Sequence, residues 1–356
     1  MKNGMDDDGA EGVSRRNFMG LTVAASLATL AGRAAAASST GKNACGGESS
    51  KTSKGALIPR CPKDHITRVK YKKVDVNGVS IFYREAGRPD APAILLLHGW
   101  PSSSFEFREL LPLLAKNFRV VAPDYPGLGF SATPAPAQYD YGFDNIATTL
   151  LGLADAIGLK RYALYITDFG ACIGWIMARA AANRVTAVIS QNGAAYDVVV
   201  IKADDAEWQK TVDLVKDPTP ERRREMASAL SYDYTKFTYV TGACDLSLVS
   251  PDTYTLDYAL FQRPGQLEIQ VELLISYAKF ILGRFPEAQE YLRRHKPPVL
   301  AIWGANDPYY PKEGAEAFRA DVPDVEVHFY DAGHFAIETH LYEIADHVTE
   351  FLKRRT

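Results

Sequence analysis

The feature that most constrains this chain is the regular alternation of short apolar runs with helical segments, which begins at about residue 66. Two apolar runs, 93–97 and 118–122, are separated by a helical segment that carries four leucines between residues 110 and 114. Short continuous apolar runs of this kind are typical of parallel strands that are buried on both faces. The pattern therefore predicts an α/β fold, with a mostly parallel sheet and helices on both of its faces.

The remaining elements follow the same alternation. Residues 69–76 and 80–85 flank Asn77-Gly78, a pair that favours a tight hairpin because both positions tolerate positive φ. Further along, the sequence predicts a helix at 143–158, a strand at 162–167, a helix at 170–182, strands at 185–190, 298–303 and 325–330, and a final helix after His340.

One long segment interrupts the alternation. Between 194 and 294 the sequence is helical, tyrosine-rich and charged, and the sheet pattern resumes only after it. We interpret 194–294 as a helical cap inserted between two parts of one core, 61–193 and 295–356.

Composition excludes several classes of protein. The 356 residues include 40 Lys and Arg against 43 Asp and Glu, a formal net charge of −3. This balance provides no electrostatic footprint for nucleic acid and no polybasic membrane patch. The four cysteines, at 45, 61, 172 and 244, lack the spacing and the neighbouring histidines of a zinc site. We expect a protein that acts on small molecules without a metal, a cofactor or a nucleic-acid partner; its oligomeric state stays open.

The N-terminus has the pattern of an export signal. Ser14-Arg15-Arg16-Asn17-Phe18 precedes an uncharged stretch at 20–32, and a small-residue run follows. The apolar stretch is too short to span a bilayer comfortably, so it indicates a removable signal without stable membrane insertion. Its S-R-R-x-F start resembles a twin-arginine signal. We expect the twin-arginine export machinery to recognise residues 1–37 and to deliver a periplasmic or secreted protein.

Residues 38–60 are rich in Ser, Gly and Lys and have almost no apolar periodicity. This composition predicts a flexible linker between the signal and the enzyme. Outside the cytoplasm, Cys45 and Cys61 could form a disulfide, a hypothesis that rests on the compartment alone.

Candidate catalytic residues stand where predicted strands end. The strand 162–167 runs directly into Asp168, and the small residues Gly170, Ala171 and Gly174 follow. A sharp strand-to-helix turn needs small residues around its central side chain, so the pattern indicates a nucleophile elbow with Asp in the place usually held by Ser. The alternative is that Asp168 only caps the following helix, a role that Asp commonly fills.

Other strand ends favour the elbow. The strand 93–97 ends in His98-Gly99-Trp100-Pro101, where the backbone can turn sharply and present the Trp100 amide beside the elbow. Trp100 and Phe169 are therefore the predicted oxyanion-hole donors. His98 and Asp124 are interpreted as packing and turn residues rather than as reacting groups.

The order of nucleophile, acid and histidine along the chain is Asp168, Asp307, His334. Together with the H-G-W-P turn and the D-x-x-G-x-G-x-S run at 124–131, this order resembles the α/β-hydrolase superfamily. Within it, the sequence is similar to the Asp-nucleophile branch of epoxide hydrolases and haloalkane dehalogenases. The resemblance covers most of 66–356 and implies an α/β-hydrolase fold with an inserted helical cap.

Two positions qualify the resemblance. Asp331 competes with Asp307 as the acid, but in the resembled fold Asp307 occupies the acid loop and is preferred. Ile166 departs from the Ser-nucleophile pattern, in which this position is small, although it is less constrained in Asp-nucleophile relatives.

An Asp nucleophile decides the type of reaction. A carboxylate that displaces a leaving group at a saturated carbon forms an alkyl ester on the enzyme, and water can then cleave that ester. His334, oriented by Asp307, would activate the water, while the Trp100 and Phe169 amides would stabilise the tetrahedral intermediate. We therefore expect substrates with an electrophilic sp³ carbon.

Two leaving groups compete. The resembled epoxide hydrolases protonate the ring oxygen from cap tyrosines, and this cap contains Tyr232, Tyr234, Tyr239, Tyr254 and Tyr258. The resembled dehalogenases commonly carry a Trp directly after the nucleophile, where this chain has Phe169, although Trp100 and Trp208 could bind a halide.

The sequence thus favours epoxide hydrolysis to a diol, with Tyr239 as the first leaving-group donor and Tyr254 or Tyr258 as the second. The alternative is a haloalkane or haloacid dehalogenase. A non-catalytic α/β-hydrolase-fold binding protein is a third hypothesis, which the complete set of nucleophile, acid and histidine argues against.

Overall fold

The computed structural model describes residues 65–199 and 206–355. The predicted signal at 1–37, the linker at 38–60 and the pairing of Cys45 with Cys61 lie outside the described residues. Within the described ranges, none of the helices is both long enough and apolar enough to cross a membrane.

A single eight-stranded sheet forms the centre of the described chain. Its strands are β1 Lys70–Val76, β2 Val79–Ala86, β3 Ala93–Leu97, β4 Arg119–Pro123, β5 Tyr162–Thr167, β6 Val185–Gln191, β7 Val299–Gly304 and β8 Glu326–Tyr330. They lie in the order β1-β2-β4-β3-β5-β6-β7-β8. The two pairs that β2 makes, with β1 and with β4, are antiparallel, and every other pair of neighbouring strands is parallel. The predicted mostly parallel sheet is therefore confirmed.

Twelve α-helices accompany the sheet within the described ranges. They are α1 Leu110–Leu114, α2 Phe143–Ala156, α3 Phe169–Ala180, α4 Ala206–Lys216, α5 Pro220–Ala229, α6 Tyr232–Val240, α7 Pro251–Phe261, α8 Gln266–Ile281, α9 Phe285–His295, α10 Glu313–Glu316, α11 Ala336–Thr339 and α12 Leu341–Lys353. A short 3₁₀ turn, Ser104–Phe107, connects β3 to α1.

The hydrophobic core lies in two layers, one on each face of the sheet. Along β3, Ile94 and Leu96 pack in the layer that contains α1 and α12. Leu95 and Leu97 pack in the opposite layer with α2 and α3. Successive side chains of a strand point to opposite faces, so an uninterrupted apolar run fills both layers at once.

Helices α4 to α8 stand in the chain between β6 and β7, in the predicted cap. Ser276 of α8 accepts a hydrogen bond from the Phe143 amide at 2.8 Å and so connects the cap to α2. Helices α8 and α9 both reach the core: Leu273 of α8 and Tyr291 and Leu292 of α9 belong to the same core layer as Trp175 of α3. The predicted cap range therefore includes helices that pack on the core through their apolar faces.

Candidate active site

Asp168 stands at the sharp turn between β5 and α3. Its backbone has φ 47° and ψ −118°, a conformation that side-chain-bearing residues rarely adopt and that is typical of a strained nucleophile elbow. The turn brings the backbone of α3 very close to β3. A Cβ atom on Gly170 would lie 2.1 Å from the Leu97 carbonyl oxygen, so only glycine fits there. Asp168 is thus the centre of the turn, as the sequence pattern indicates.

Backbone amides from the loop after β3 and from the start of α3 donate to Asp168. The Trp100 N–H donates to Asp168 Oδ1 at 2.7 Å, and the Phe169 amide also donates to this carboxylate. Gly99 makes the approach possible, because a Cβ atom on it would lie 2.8 Å from Cβ of Asp168. Two backbone donors to one carboxylate form the kind of arrangement that stabilises an oxyanion.

His334 lies on the other side of Asp168. Its Nε2 atom is 3.8 Å from Asp168 Oδ2, and its Nδ1 atom is 2.7 Å from Asp307 Oδ2. Asp331, the competing acid, instead accepts a hydrogen bond from Asn306 on the surface. The structure thus brings the three sequence-predicted residues together and places Asp307, not Asp331, on the histidine.

Asp307 has partners that sequence reasoning missed. The Asn192 side chain donates to Asp307 Oδ2 at 2.7 Å, and the Tyr309 amide donates to Oδ1 at 2.7 Å. Asn192 follows β6 with φ 43°, and its own side-chain oxygen accepts the Gly304 amide at 2.9 Å. A polar residue just after a buried strand is the signal that would have identified Asn192.

Burial and charge act in opposite directions on this site. Burial by itself lowers the pKa of His334, but the carboxylates of Asp307 and Asp168 outweigh burial and raise this pKa to about 9. Burial raises the pKa of Asp168, while the charge on His334 and the Trp100 and Phe169 amides oppose that rise. The imidazole of His334 and the carboxylate of Asp168 therefore stabilise each other's charged forms.

Comparison with known proteins shows the family of this chain. A family model described as the α/β-hydrolase fold matches residues 92–341. The chain belongs to the α/β-hydrolase family. The hydrolase YNR064C of Saccharomyces cerevisiae, which is described as uncharacterized, is 40% identical over 283 residues, 78% of this chain and 96% of that protein.

Two further relatives differ in their chemistry. Epoxide hydrolase A of Mycobacterium tuberculosis is 37% identical over 116 residues, which are 32% of this chain and 36% of that enzyme. The haloalkane dehalogenase DbeA from Bradyrhizobium elkani shares the fold with a TM-score of 0.67 at 22% identity, covering 80% of this chain and 98% of that structure. This α/β-hydrolase thus resembles an epoxide hydrolase over part of its sequence and a haloalkane dehalogenase in its fold.

A tyrosine pair that sequence reasoning missed reaches Asp168 in this hydrolase. The Tyr310 hydroxyl donates to Asp168 Oδ2 at 3.1 Å, and the Tyr277 hydroxyl shares a hydrogen bond with the Tyr310 hydroxyl. The Tyr310 ring also stacks on the His334 ring, with centroids 5.5 Å apart. Tyr310 stands only three residues after Asp307, so its position in the acid loop is the signal that sequence reasoning could have used.

The cap tyrosines predicted as leaving-group donors have other contacts. The Tyr239 hydroxyl donates to Asp257 Oδ2 at 2.6 Å, and its ring stacks on Phe335 at 3.9 Å. Tyr254 and Tyr258 pack edge-on against Tyr232. This placement contradicts the expected reach of Tyr239 toward Asp168, because its phenol is bound to a buried carboxyl group of α7.

The Trp100 indole, a predicted halide donor, is also occupied. Its Nε1–H donates to Gln270 Oε1 at 2.8 Å, and its ring stacks against Phe169 and Phe261. Trp208, the other predicted donor, belongs to α4, and its side chain lies outside what the structure describes.

Two polar residues near the site have structural contacts. His98 is fully buried, with Nδ1 2.9 Å from the Gly99 carbonyl. Asp124 accepts the Ser104 amide at 2.8 Å and the Phe130 amide at 2.6 Å, so it organises its own turn. In the described part of the chain, no group of three or more His, Cys, Asp or Glu side chains is placed to hold a metal ion.

Proposed function

We propose that this hydrolase opens epoxides through a covalent ester on Asp168 and releases a diol when water cleaves that ester. The observation that carries the proposal is the different environment of the two carboxylate oxygens of Asp168. Oδ1 accepts the Trp100 amide, whereas Oδ2 lies beside the Tyr310 hydroxyl and Nε2 of His334. One oxygen is held by oxyanion donors, and the other is placed for attack beside a proton donor and a base.

In the first step, Oδ2 of Asp168 attacks a ring carbon, a C–O bond to the enzyme forms, and the C–O bond of the epoxide breaks. The ring oxygen takes the proton of Tyr310, whose hydroxyl already lies on the attacking oxygen. Tyr277 then stabilises the Tyr310 oxygen through their shared hydrogen bond. Burial raises the pKa of both phenols well above their usual value, so both are protonated when the substrate arrives.

In the second step, Nε2 of His334 takes a proton from water, and the resulting hydroxide adds to Cγ of Asp168. Negative charge develops on Oδ1, where the Trp100 and Phe169 amides stabilise it. Collapse breaks the bond between Cγ and Oδ2, and Oδ2 leaves in the diol with the proton from His334. The new carboxylic acid returns its proton to Tyr310 through solvent, so one epoxide and one water yield one diol.

The same charges explain how His334 becomes a base only when it is needed. In the free enzyme, the negative charge of Asp168 contributes to the raised pKa of His334. Esterification removes this charge, so the pKa of His334 falls in the intermediate. The imidazole therefore loses its proton after the first step and can accept one from water.

Hydrogen-bond donors favour an epoxide over a halide. A leaving halide needs N–H donors, but the Trp100 indole N–H is bound to Gln270 and Phe169 carries no side-chain donor. An epoxide oxygen needs an O–H donor, and Tyr310 supplies one at the attacking oxygen. We therefore place epoxide hydrolysis before haloalkane dehalogenation.

The walls of the site favour uncharged substrates. Aromatic rings pack on the residues that contact Asp168: Phe169, Tyr234 and Phe261 pack on Trp100, Tyr277 on Phe169, and Tyr309 and Tyr310 on His334. A substrate carboxylate would face these rings and the charge of Asp168, whereas an aryl or alkyl epoxide would pack against them. This argues against a haloacid and for an apolar epoxide.

The test is to incubate the purified protein with aryl and alkyl epoxides and with chloro- and bromoalkanes, and to measure diol and halide separately. We expect diol from epoxides. The His334→Gln variant should form the ester but not hydrolyse it, so mass spectrometry should find an adduct on the Asp168 peptide. Halide release without diol would favour the dehalogenase, and turnover by Asp168→Ala would reject the covalent scheme.

We also propose export of the folded enzyme by the twin-arginine route, on the basis of the Arg15-Arg16 pair and the apolar stretch that follows it. Replacing both arginines by lysine should retain the protein in the cytoplasm. Unchanged export of that double variant would exclude this route.

A further inference from the structure

A buried glutamate lies directly behind the oxyanion loop. Glu106 belongs to the 3₁₀ turn Ser104–Phe107, and only 2% of its surface is exposed. Its Oε2 atom accepts the N–H of Gly99 at 3.0 Å. Its other oxygen, Oε1, has no hydrogen-bond partner among the described residues. The side chain thus makes its contact with the residue that precedes the oxyanion donor Trp100.

Gly99 is held from three directions. Glu106 accepts its N–H, and Nδ1 of His98 donates to its carbonyl oxygen at 2.9 Å. On the third side lies Asp168, whose Cβ would be only 2.8 Å from a Cβ on Gly99. The Gly99 carbonyl and the Trp100 N–H belong to one peptide plane, so holding Gly99 also orients the donor to Asp168.

If Glu106 only filled space, its carboxyl group would destabilise the fold, because burial removes its hydration. An apolar side chain of similar size would fill the space without desolvating a carboxyl group, and it would leave no buried oxygen without a partner. Burial raises the pKa of Glu106 from 4.5 to about 8. At neutral pH the group is therefore mostly an uncharged acceptor, which holds the Gly99 amide without adding a second negative charge near Asp168.

We propose that Glu106 is a positioning residue for ester hydrolysis, which fixes Gly99 through its N–H so that the next peptide points the Trp100 N–H at Oδ1 of Asp168. The proposal rests on the covalent mechanism proposed above. Glu106 acts through Gly99 and does not touch the substrate.

The two half-reactions should depend on Glu106 to different extents. During alkylation, Asp168 loses its negative charge, so a well-aligned donor to Oδ1 gives the transition state no added stabilisation. During hydrolysis, negative charge develops on Oδ1, and the alignment of the Trp100 N–H then matters most. A misaligned peptide therefore slows hydrolysis and leaves alkylation nearly unchanged.

The experiment compares Glu106→Leu and Glu106→Met, which cannot accept the Gly99 N–H, with Glu106→Gln, which can. Rapid mixing with an epoxide, followed by acid quench and intact-mass measurement, gives the rates of ester formation and loss separately. Since removal of one whole oxyanion donor costs about 10²–10³-fold, we expect a misaligned donor to slow hydrolysis about 10-fold or more. The ester should accumulate in the apolar variants, and Glu106→Gln should restore its hydrolysis.

A purely structural role predicts a different result. If Glu106 were purely structural, the Leu and Met variants would have a lower thermal midpoint, and ester formation and ester hydrolysis would change to the same extent. Glu106→Gln would then not restore hydrolysis selectively. Hydrolysis at the parent rate in a folded Leu or Met variant overturns the proposal, as does equal slowing in the Gln variant.

The His334→Gln variant separates this proposal from the mechanism on which it rests. If His334→Gln gives no adduct on the Asp168 peptide with any epoxide, the covalent mechanism itself fails. If the adduct forms and Glu106→Leu hydrolyses its ester like the parent, only the role of Glu106 fails.

Discussion

The Tyr310 hydroxyl donates a hydrogen bond to Oδ2 of Asp168 at a distance of 3.1 Å. This is the carboxylate oxygen that does not face the Trp100 amide, and it is also the one that lies 3.8 Å from Nε2 of His334. A phenol on this oxygen is placed beside any carbon that the oxygen attacks. The acid that opens an epoxide would therefore come from the loop after β7, with Tyr277 of the cap as its partner.

Tyr310→Phe should slow epoxide opening. Loss of one general acid typically costs about 10²-fold, and we expect kcat and kcat/KM to fall together because the proton is needed in the transition state. Steady-state kinetics with an aryl epoxide checks this.

Tyr239→Phe is the matched control for this substitution. It removes the bond to Asp257 rather than a bond to Asp168, so it should lower thermal stability and leave epoxide opening nearly intact. A large loss of activity in Tyr239→Phe, with none in Tyr310→Phe, would return the acid role to the cap tyrosine.

Asn192→Leu should weaken the acid loop. It removes the donor to Asp307 Oδ2 and the acceptor of the Gly304 amide, both of which are buried. Loss of a buried hydrogen bond to a charged group costs about 1–3 kcal/mol, so we expect a fall of this size in the free energy of unfolding measured by urea denaturation. Ester hydrolysis should slow as well, because Asp307 orients His334, whereas a parent-like hydrolysis rate would show that Asn192 only stabilises the fold.

The pH dependence of ester hydrolysis should report His334. Only the neutral imidazole can accept a proton from water, so the rate should rise with pH. In the ester, Asp168 no longer contributes to the raised pKa of His334, so the midpoint should lie below the value of about 9 that His334 has in the free enzyme. Single-turnover hydrolysis measured between pH 5 and about 10 checks this, and a rate that falls with pH in this window would contradict the assignment of His334 as the base.

Glu106→Gln should change the pH dependence of stability. The pKa of Glu106 is about 8 in the folded protein against 4.5 for the free group. As pH rises from about 4.5 to about 8, Glu106 ionises in the unfolded parent but stays neutral in the folded parent, so the free energy of unfolding of the parent falls. Below pH 4.5 Glu106 is protonated in both states, and this loss of stability is absent.

The free energy of unfolding of Glu106→Gln relative to the parent should therefore increase across this window, by more than about 1 kcal/mol. Urea unfolding at several pH values measures the difference. If the difference in free energy of unfolding between Glu106→Gln and the parent stayed constant with pH, Glu106 would be ionised in the folded protein at neutral pH. If the difference became smaller as pH rises, the pKa of Glu106 would be lowered in the folded protein rather than raised.

Local sequence was sufficient to predict the sheet and the sharp turn at Asp168. The apolar runs of β3, β5 and β7 are short, which is typical of buried strands rather than of helices. Residues of the site follow directly after each of these strands. Parallel strands bring their carboxyl ends to one edge of the sheet, so Trp100, Asp168 and Asp307 had to come together. The small residues after Asp168 indicated the elbow because the turn leaves no room for larger ones.

Tertiary structure alone decided which side chains complete the site. Tyr239 and Tyr310 have the same chemistry, and only the packing of α6 and α7 directs one phenol to Asp257 while the acid loop directs the other to Asp168. Glu106 and Asn192 reach Gly99 and Asp307 across 7 and 115 positions of the chain. Such contacts depend on how strands and loops pack in three dimensions, and the periodicity of the sequence does not predict that packing.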